Sequence, residues 1–351
     1  MACRGFYLRP ASGEEEFEAV YRFRYEHFFR CCSDGYPGLD RLRGRLFELH
    51  DPESIHLCAF DGAGGLCAVS TATPANHPEI PEPWAEWFEL ERLSPLGLDN
   101  VVVSTRMVLH PEYRRTRLFG LFYRFIMGQY FEAGFACAVH YCSPGFVSRY
   151  ERLGHRLFGK PFIMPPGLLR VPMIIDLNDL DYLRGLNPEL SKLHDLRCPG
   201  PALLPISSML PEFEYGTNFY LLSPEERLDY IREKLGPDGF SQRADLLPLL
   251  EHAALLHLKK GLFHRPPRGG GFLCLVLSGL LEETGANQSA GPGSFVRAGL
   301  PGDPPDPPSS FTVLEDSEVL VFDQACISSN GGHKLAGSFV RKDGCNVECH
   351  R

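Results

Sequence analysis

The sequence lacks any apolar run long enough to span a bilayer, and it lacks an excess of positive charge. Its longest uninterrupted apolar stretches, such as residues 272–277, fall far short of the ~18 residues that a spanning helix needs. Residues 1–12 have no signal-peptide core. The net charge is −9, which disfavours a nucleic-acid or anionic-membrane partner. We expect a cytoplasmic protein with no transmembrane segment and no nucleic-acid partner.

Metal-binding and disulfide patterns are also lacking, although the chain has 12 cysteines. No C-x-x-C motif occurs, and several cysteines lie in apolar runs, where the residue behaves as a small buried hydrophobe. The nearest approach to a metal cluster combines His333, Cys345, Cys349 and His350, whose spacing matches no standard zinc module. We expect reduced thiols and no bound metal.

Glycine and proline, by contrast, are abundant, with 35 and 30 of the 351 residues. Much of the glycine lies between 261 and 302, and much of the proline lies in 178–240 and 301–308. With 44% apolar residues the chain can bury ordinary cores, and at about 150 residues per domain its length predicts two domains or slightly more. The glycine and proline excess therefore indicates many tight turns in a globular chain.

The first half alternates between helical and strand patterns. Apolar residues at helical spacing predict helices over 14–30, 118–133 and 144–153, and short apolar runs predict strands over 54–60, 66–71, 100–109, 136–142 and 169–177. This alternation is typical of a mixed α/β sheet. We assign residues 1–180 to this first domain.

The second half begins with a proline-rich connector and continues as a β-rich region. Within the connector, residues 181–240, Ser223 and Glu226 form a capping box that starts a helix over 223–235. A leucine-rich helix is predicted from Asp245 to Leu258. Glycine turns between short apolar runs then predict an antiparallel sandwich or barrel over 241–328, followed by a polar tail over 329–351.

Two motifs at a defined spacing carry a family resemblance. The strand over 101–109 runs through His110-Pro111-Glu112-Tyr113-Arg114-Arg115 into a helix, and Arg149-Tyr150-Glu151-Arg152-Leu153-Gly154-His155 follows the next strand. This order resembles the N-acetyltransferase-like (GNAT) superfamily. Segments 20–25, 103–111 and 171–176 are similar to the branch of the long-chain N-acyl amino acid synthases and, more distantly, the acyl-homoserine-lactone synthases. The resemblance covers about residues 6–180 and implies a GNAT-like acyltransferase fold.

The resemblance implies an acyl-donor site and a catalytic tyrosine. Main-chain groups near Met107, Val108 and Leu109 would pair with the pantetheine arm of acyl-CoA or an acyl carrier protein, and one N–H would face the thioester oxyanion. Backbone amides from a single loop would meet the donor phosphates: Arg114, Arg115, Thr116, Arg117, Leu118 and Phe119. Tyr150 falls where the family's general acid protonates the leaving thiolate.

The chain departs from the family pattern in ways that bear on this site. Arg117 and Phe119 stand where the phosphate loop has glycines, and the arginines at 114, 115 and 117 suit the acidic surface of an acyl carrier protein. Glu48, Glu89 and Glu91 are general-base candidates by position only. Two further interpretations are structural. We expect Arg22 and Arg24 to be helix-surface charges unless the helix lines the acyl pocket, and His140 to be a packed or half-exposed histidine rather than a base.

The β-rich region is similar to the cyclic-nucleotide-binding domain family, a mainly-β roll. The pattern lies in residues 272–282 and 311–322. The family's phosphate-binding arginine falls on Pro307, and Arg297 lies in a different part of the loop, so we expect a cyclic-nucleotide-binding-like roll with a degenerate cassette and no ligand.

These features favour an N-acyltransferase that moves an acyl group from an acyl-carrier-protein or acyl-CoA thioester to an amine such as an amino acid. The C-terminal domain would then be regulatory or structural. A non-catalytic scaffold protein with two ligand-free domains is an alternative, because loop glycines and the phosphate arginine are both missing. A cyclic-nucleotide-regulated protein lysine acetyltransferase is a third.

Overall fold

The computed structural model describes residues 2–3, 5–28, 38–114, 116–165, 167–196, 204–210, 215–216, 218–241, 249–265, 272–284, 288–298 and 310–322. Several sequence predictions lie outside the described residues: Arg115, the prolines of 301–308, the tail over 329–351 and the histidine and cysteine group within it. In the described part of the chain, no helix has the length and apolar character needed to cross a bilayer.

The first half forms a nine-stranded mixed sheet, which confirms the predicted α/β class. Its strands and those of a small separate hairpin are β1 (Ala2–Cys3), β2 (Phe6–Pro10), β3 (Leu39–Asp40), β4 (Arg45–Leu46), β5 (Ile55–Asp61), β6 (Leu66–Pro74), β7 (Val101–Leu109), β8 (Cys137–Cys142), β9 (Arg156–Leu157), β10 (Phe162–Met164) and β11 (Leu168–Asp176). The order is β1-β2-β5-β6-β7-β8-β11-β10, with β9 also on β11 and the β3–β4 hairpin apart. The β7–β8 pair is parallel, and the other pairs are antiparallel.

Helices cover both faces of this sheet. They are α1 (Gly13–Phe28), α2 (Glu82–Trp87), α3 (Leu90–Leu93), α4 (Leu118–Glu132) and α5 (Val147–Arg152). Because side chains alternate along a strand, Val102 of β7 joins the core under α4, whereas Val101 and Val103 face Trp84 and Phe88 on the opposite side. We call these the α4 face and the α1 face.

The connector contains helices and, among its described residues, no strand. They are α6 (Leu180–Leu186), α7 (Pro188–Ser191), α8 (Ile206–Met209) and α9 (Pro224–Ser241). The predicted capping box is present: the Glu226 N–H donates to Ser223 Oγ over 3.2 Å, and the Ser223 N–H donates to the Glu226 carboxylate over 2.7 Å. Gly236, with φ of 70°, interrupts α9 one residue after the predicted helix end.

The described residues of the C-terminal part form two four-stranded antiparallel sheets, as the turn pattern predicted, and both contribute to one core cluster. We call these two sheets the C-terminal sandwich. The first has the order β12-β19-β14-β17 and the second β13-β18-β15-β16. The strands are β12 (Ala253–Leu258), β13 (Phe263–His264), β14 (Phe272–Ser278), β15 (Leu281–Thr284), β16 (Gln288–Ala290), β17 (Phe295–Ala298), β18 (Ser310–Val313) and β19 (Ser317–Phe322). A roll of the cyclic-nucleotide-binding kind remains a prediction.

The predicted helix from Asp245 to Leu258 lies outside the described residues over 245–248 and is wrong over 253–258, which form β12. Ala254 and Leu256 pack into one core cluster, while Ala253 and Leu255 pack into another. A strand buried on both sides carries an unbroken apolar run, and such a run cannot be told from a buried helix by periodicity.

One hydrophobic cluster joins the two halves of the chain. Leu169, Val171 and Met173 of β11 pack together with residues of β12 and β19, including Leu256 and Val321. We call the whole buried cluster to which these residues belong the joint cluster; it also includes Val147 and Val319. It covers the α4 face of the sheet on the side of β8 and β11, beyond the area that α4 itself covers.

Candidate functional site

Strands β7 and β8 separate part-way along their length. They pair at Val101 with Cys137, Val102 with Ala138 and Val103 with Val139, yet β7 continues to Leu109 and β8 to Cys142. We call the resulting gap, between 104–109 and 140–142, the splay. Along the splay the edge of β7 has backbone groups that β8 does not pair, and such groups can bind an extended ligand.

A bulge distorts β7 inside the splay. Thr105 pairs with Thr71 and Val108 with Val69, so β7 has one residue more than β6 in this interval. Arg106 adopts the left-handed conformation with φ of 56°, which is unfavourable for a long side chain. The bulge changes the direction of the main chain just before Met107 and Val108, where the sequence predicted donor contacts.

The Arg106 side chain crosses the splay on the α1 face. Its Nη1 donates to the Tyr141 hydroxyl of β8 over 2.5 Å, and its Nη2 donates to Glu48 Oε1 over 2.5 Å. One guanidinium therefore connects both separated strands to the segment before β5. Sequence reasoning missed Arg106 and Tyr141, because the bulge that brings them together is a property of strand register.

Glu48 is the general-base candidate that lies beside the splay. Its side chain is 8% exposed, and Oε2 has no hydrogen bond among the described residues while lying 3.9 Å from His50 Nε2. Burial lowers the pKa of His50, which keeps that imidazole neutral at physiological pH. Glu89, in contrast, pairs with Arg92 over 2.5 Å, and Glu91 is exposed on α3.

A second buried network on the α1 face is centred on Arg24. Its Nη1 donates to both carboxylate oxygens of Asp51 over 2.9 and 3.0 Å, and its Nη2 donates to His56 Nδ1 over 3.0 Å and to Thr71 Oγ1. Burial by itself would raise the pKa of Asp51, but the Arg24 guanidinium and the Glu48 N–H together hold that pKa below its usual range. The predicted surface position is wrong for Arg24, whose side chain is fully buried.

Arg22, two residues earlier, is exposed and pairs with Glu18, as predicted for a helix-surface charge. Arg24 differs because it lies on the same side of α1 as buried Val20, four residues before it. The Asp51 carboxylate, which compensates the buried charge of Arg24, lies 27 residues further along the chain. Local periodicity therefore could not predict this burial.

Tyr150 lies on the α4 face. It packs against His140, the first residue of β8 that is no longer paired with β7. Its ring centroid is 4.4 Å from that of His140 and 5.2 Å from that of His155, both edge-to-face. The Tyr123 hydroxyl is hydrogen-bonded to His155 Nε2 over 2.7 Å. Burial raises the pKa of Tyr150 and lowers that of His140 to about 4, so at neutral pH the phenol keeps its proton and the imidazole is uncharged.

His140 is packed, as expected, but its imidazole is poorly satisfied in hydrogen bonds. His140 Nε2 and His155 Nδ1 are buried with no hydrogen bond among the described residues. Tyr150 in turn packs against the joint cluster. The tyrosine thus has a packing role in addition to its place beside the splay.

The predicted phosphate loop follows β7, and part of it is already bonded within the chain. The Arg114 N–H donates to the Pro111 carbonyl over 3.3 Å, the Thr116 N–H to the Tyr113 carbonyl over 3.1 Å, and the Leu118 N–H to Thr116 Oγ1 over 3.2 Å. The Phe119 ring stacks on Tyr123 at 6.2 Å. The side chains of Arg114 and Arg117 are exposed, so charge is the feature that this loop presents outward.

A cavity of about 280 Å³ lies on the α4 face, at the end of α4. It is lined by Ile55, Leu57, Ala72, Gln129, Tyr130, Glu132, Ala133 and Phe135. The Tyr130 hydroxyl donates to Ser104 Oγ over 2.8 Å, so the cavity wall reaches the first residue of β7 in the splay. None of the predicted donor residues that the structure describes lines the cavity. The described residues hold no group of three or more histidine, cysteine or carboxylate side chains placed to bind a metal.

No protein-family model and no curated protein matches the chain. Solved structures are similar to its first half. They include the CoA-dependent acyl-homoserine lactone synthase BjaI (16% identity, TM-score 0.41, 53% of this chain and 89% of that chain) and FeeM, an N-acyl amino acid synthase from uncultured soil microbes (13%, 0.42, 53% and 97%). The acyl-homoserine lactone synthase LasI is a third (12%, 0.41, 52% and 95%). At such low TM-scores these similarities assign neither a fold nor an activity to this chain.

Proposed function

We propose that the protein is a GNAT-like N-acyltransferase, which moves an acyl group from an acyl-CoA or acyl-carrier-protein thioester to an amine such as an amino acid. One observation carries the proposal: β7 separates from β8 beside a bulge, with a buried carboxylate on one face of the opening and a partly buried tyrosine on the other. His140 and Tyr141 are adjacent in β8, and their side chains therefore lead to these opposite faces.

The donor would lie in the splay as an extended arm. Main-chain groups of Met107, Val108 and Leu109 would pair with its amides, and one N–H would stabilise the oxyanion that forms on the thioester carbonyl. The exposed side chains of Arg114 and Arg117 would meet the phosphates or the acidic surface of a carrier protein.

The acceptor amine would approach from the α1 face. Glu48 Oε2, which has no hydrogen bond among the described residues, would accept a proton as the amine nitrogen attacks the thioester carbon. A C–N bond forms, the carbonyl electrons move to oxygen, and they return as the C–S bond breaks.

The leaving thiolate would take its proton from Tyr150 on the α4 face. Burial raises the pKa of this phenol, so the acid is fully protonated at neutral pH. The same water-poor site destabilises the thiolate, which favours the transfer.

The test is release of free thiol from acyl-CoA and acyl-carrier-protein donors in the presence of an amino-acid pool. We expect Tyr150→Phe and Glu48→Gln each to lower kcat by about 100-fold, while Tyr7→Phe, at a half-exposed tyrosine, leaves it unchanged. No turnover with any donor, or an unchanged kcat in Tyr150→Phe, would contradict the proposal.

The internal bonding of the Arg114, Thr116 and Leu118 amides supports a second candidate, a non-catalytic scaffold. A phosphate cannot bind amides that are already paired unless the loop rearranges. Equilibrium binding of a non-hydrolysable acyl-CoA separates the two candidates. The scaffold predicts no binding at millimolar ligand, and the enzyme predicts saturable binding that Arg117→Glu weakens.

A further inference from the structure

Helix α5, which carries Tyr150, is only six residues long. A helix this short is not stable by itself, so its position depends on what it packs against. Val147 belongs to the joint cluster, and the side chains of Ser148 and Glu151 are buried. The place of Tyr150 is therefore determined by both halves of the chain.

Arg152, at the end of α5, bonds directly to the segment that precedes β12. Its Nη1 donates to the Glu251 carbonyl over 3.1 Å and lies 2.9 Å from His252 Nδ1. Its guanidinium carbon is also 6.0 Å from the centre of the Tyr220 ring. Bonds from a charged donor are among the stronger ones in proteins.

The segment to which Arg152 bonds is itself held by hydrogen bonds from a second arginine. Arg227 of α9 donates to the carbonyls of Leu222, Leu250 and Tyr220 over 2.9, 3.1 and 2.6 Å. Leu250 precedes Glu251 directly, and Tyr220 is the ring beside Arg152. Arg227 thus bonds Tyr220, which lies beside Arg152, and the residue directly before Glu251, which accepts from Arg152.

We propose that the C-terminal sandwich is a working part of the acyl-transfer site and that Arg152 is a positioning residue for Tyr150. By anchoring α5 to the segment before β12, Arg152 keeps the Tyr150 ring against His140 and the joint cluster. The catalytic half of this inference rests on the proposed function, whereas the anchoring of α5 does not.

The experiment compares Arg152→Ala with the wild type in the full-length protein by hydrogen–deuterium exchange and by kinetics. We expect exchange of residues 147–155 to rise at least tenfold while that of residues 118–132 is unchanged, because α5 loses its anchor and α4 does not. We expect kcat to fall about tenfold, with the donor KM within twofold of wild type, because misplacing a reacting group costs rate more than binding.

Arg184→Ala is the matched control, since it removes an arginine from an exposed helix pair with Asp181, and it should change neither readout. Arg152→Lys, which keeps a charged donor, should restore much of the protection and of kcat. If exchange of 147–155 is unaltered in Arg152→Ala, the anchoring is refuted whatever the activity. If exchange rises but kcat is unchanged in an active enzyme, the positioning role is refuted. If exchange rises and the wild type shows no turnover, the anchor stands and the proposed function fails.

Discussion

At the scale of single residues, Glu151 is the most unusual group in the described part of the chain. It follows Tyr150, its side chain is completely buried, and neither carboxylate oxygen has a hydrogen bond among the described residues. Burial raises its pKa to about 8, against an opposing effect of the nearby Arg152 and Arg227 charges. The folded protein therefore keeps Glu151 protonated at neutral pH.

This protonation makes stability depend on pH. Below the unfolded-state pKa, near 4.5, both states hold the proton, and the titration of Glu151 does not change the free energy of unfolding. Between about 4.5 and 8 the unfolded state loses its proton while the folded state retains it, so stability falls, and above 8 the loss is complete.

We predict that Glu151→Gln stabilises the protein by about 2 kcal/mol or more at pH 8.5 and has little effect at pH 4. Urea unfolding at the two pH values measures the difference, with Glu225→Gln, at an exposed position, as control. Equal effects at both pH values would mean that folding does not raise the pKa of Glu151.

At the scale of elements, the β7 bulge combines backbone strain with side-chain bonding at one residue. Arg106 has a left-handed backbone, which glycine adopts without cost and alanine does not. Its guanidinium bonds Glu48 and Tyr141, and both substitutions remove those bonds. Comparison of the two variants therefore separates the two contributions.

We predict that Arg106→Gly is more stable than Arg106→Ala by about 1 kcal/mol, and that both lose the proposed acyl-transfer activity to a similar degree. Chemical denaturation and initial rates provide the two measurements. A more stable alanine variant would show that residue 106 is not left-handed in the native protein.

Local sequence patterns predicted the elements themselves well. The hairpin of β5 and β6, the helix α4 and the capping box of α9 all follow from short-range periodicity and turn chemistry. The errors and the omission have a common physical cause, because each feature concerned depends on residues distant in sequence. Arg24 is buried by Asp51, β12 is covered on two sides, and the Arg106 conformation arises from register against β6.

The candidate site was predictable only in part. Tyr150 and the 107–109 strand could be located from a family resemblance, and Glu48 from its position, and all lie around the splay. The remaining side chains of the site, including Arg106, Tyr141 and His155, carry no local signal. Their side-chain hydrogen bonds join residues 32 to 58 positions apart in the sequence, which only the completed sheet brings together.

At the scale of the whole molecule, the joint cluster predicts that the two halves unfold together. Both tryptophans, Trp84 and Trp87, lie in the first half, so their fluorescence reports on that half alone. We predict that Leu256→Ala, in β12 of the C-terminal sandwich, destabilises the protein by about 2–5 kcal/mol and lowers the midpoint of the tryptophan transition by the same amount as that of circular dichroism.

Exposed Leu204 provides the control, since Leu204→Ala removes the same atoms outside any core cluster. A tryptophan transition that stays at the wild-type midpoint in Leu256→Ala would mean that the halves fold as independent units.

The joint cluster also affects the timing of synthesis. β19, at residues 317–322, lies between β12 and β14 in its sheet and contributes Val319 and Val321 to the packing behind Tyr150. A ribosome adds about 5–20 residues per second, so Tyr150 is synthesised well before β19. For about ten seconds or more, α5 therefore lacks the part of its packing that β19 supplies. A nascent chain that stops short of β19 would have the splay but not the finished site.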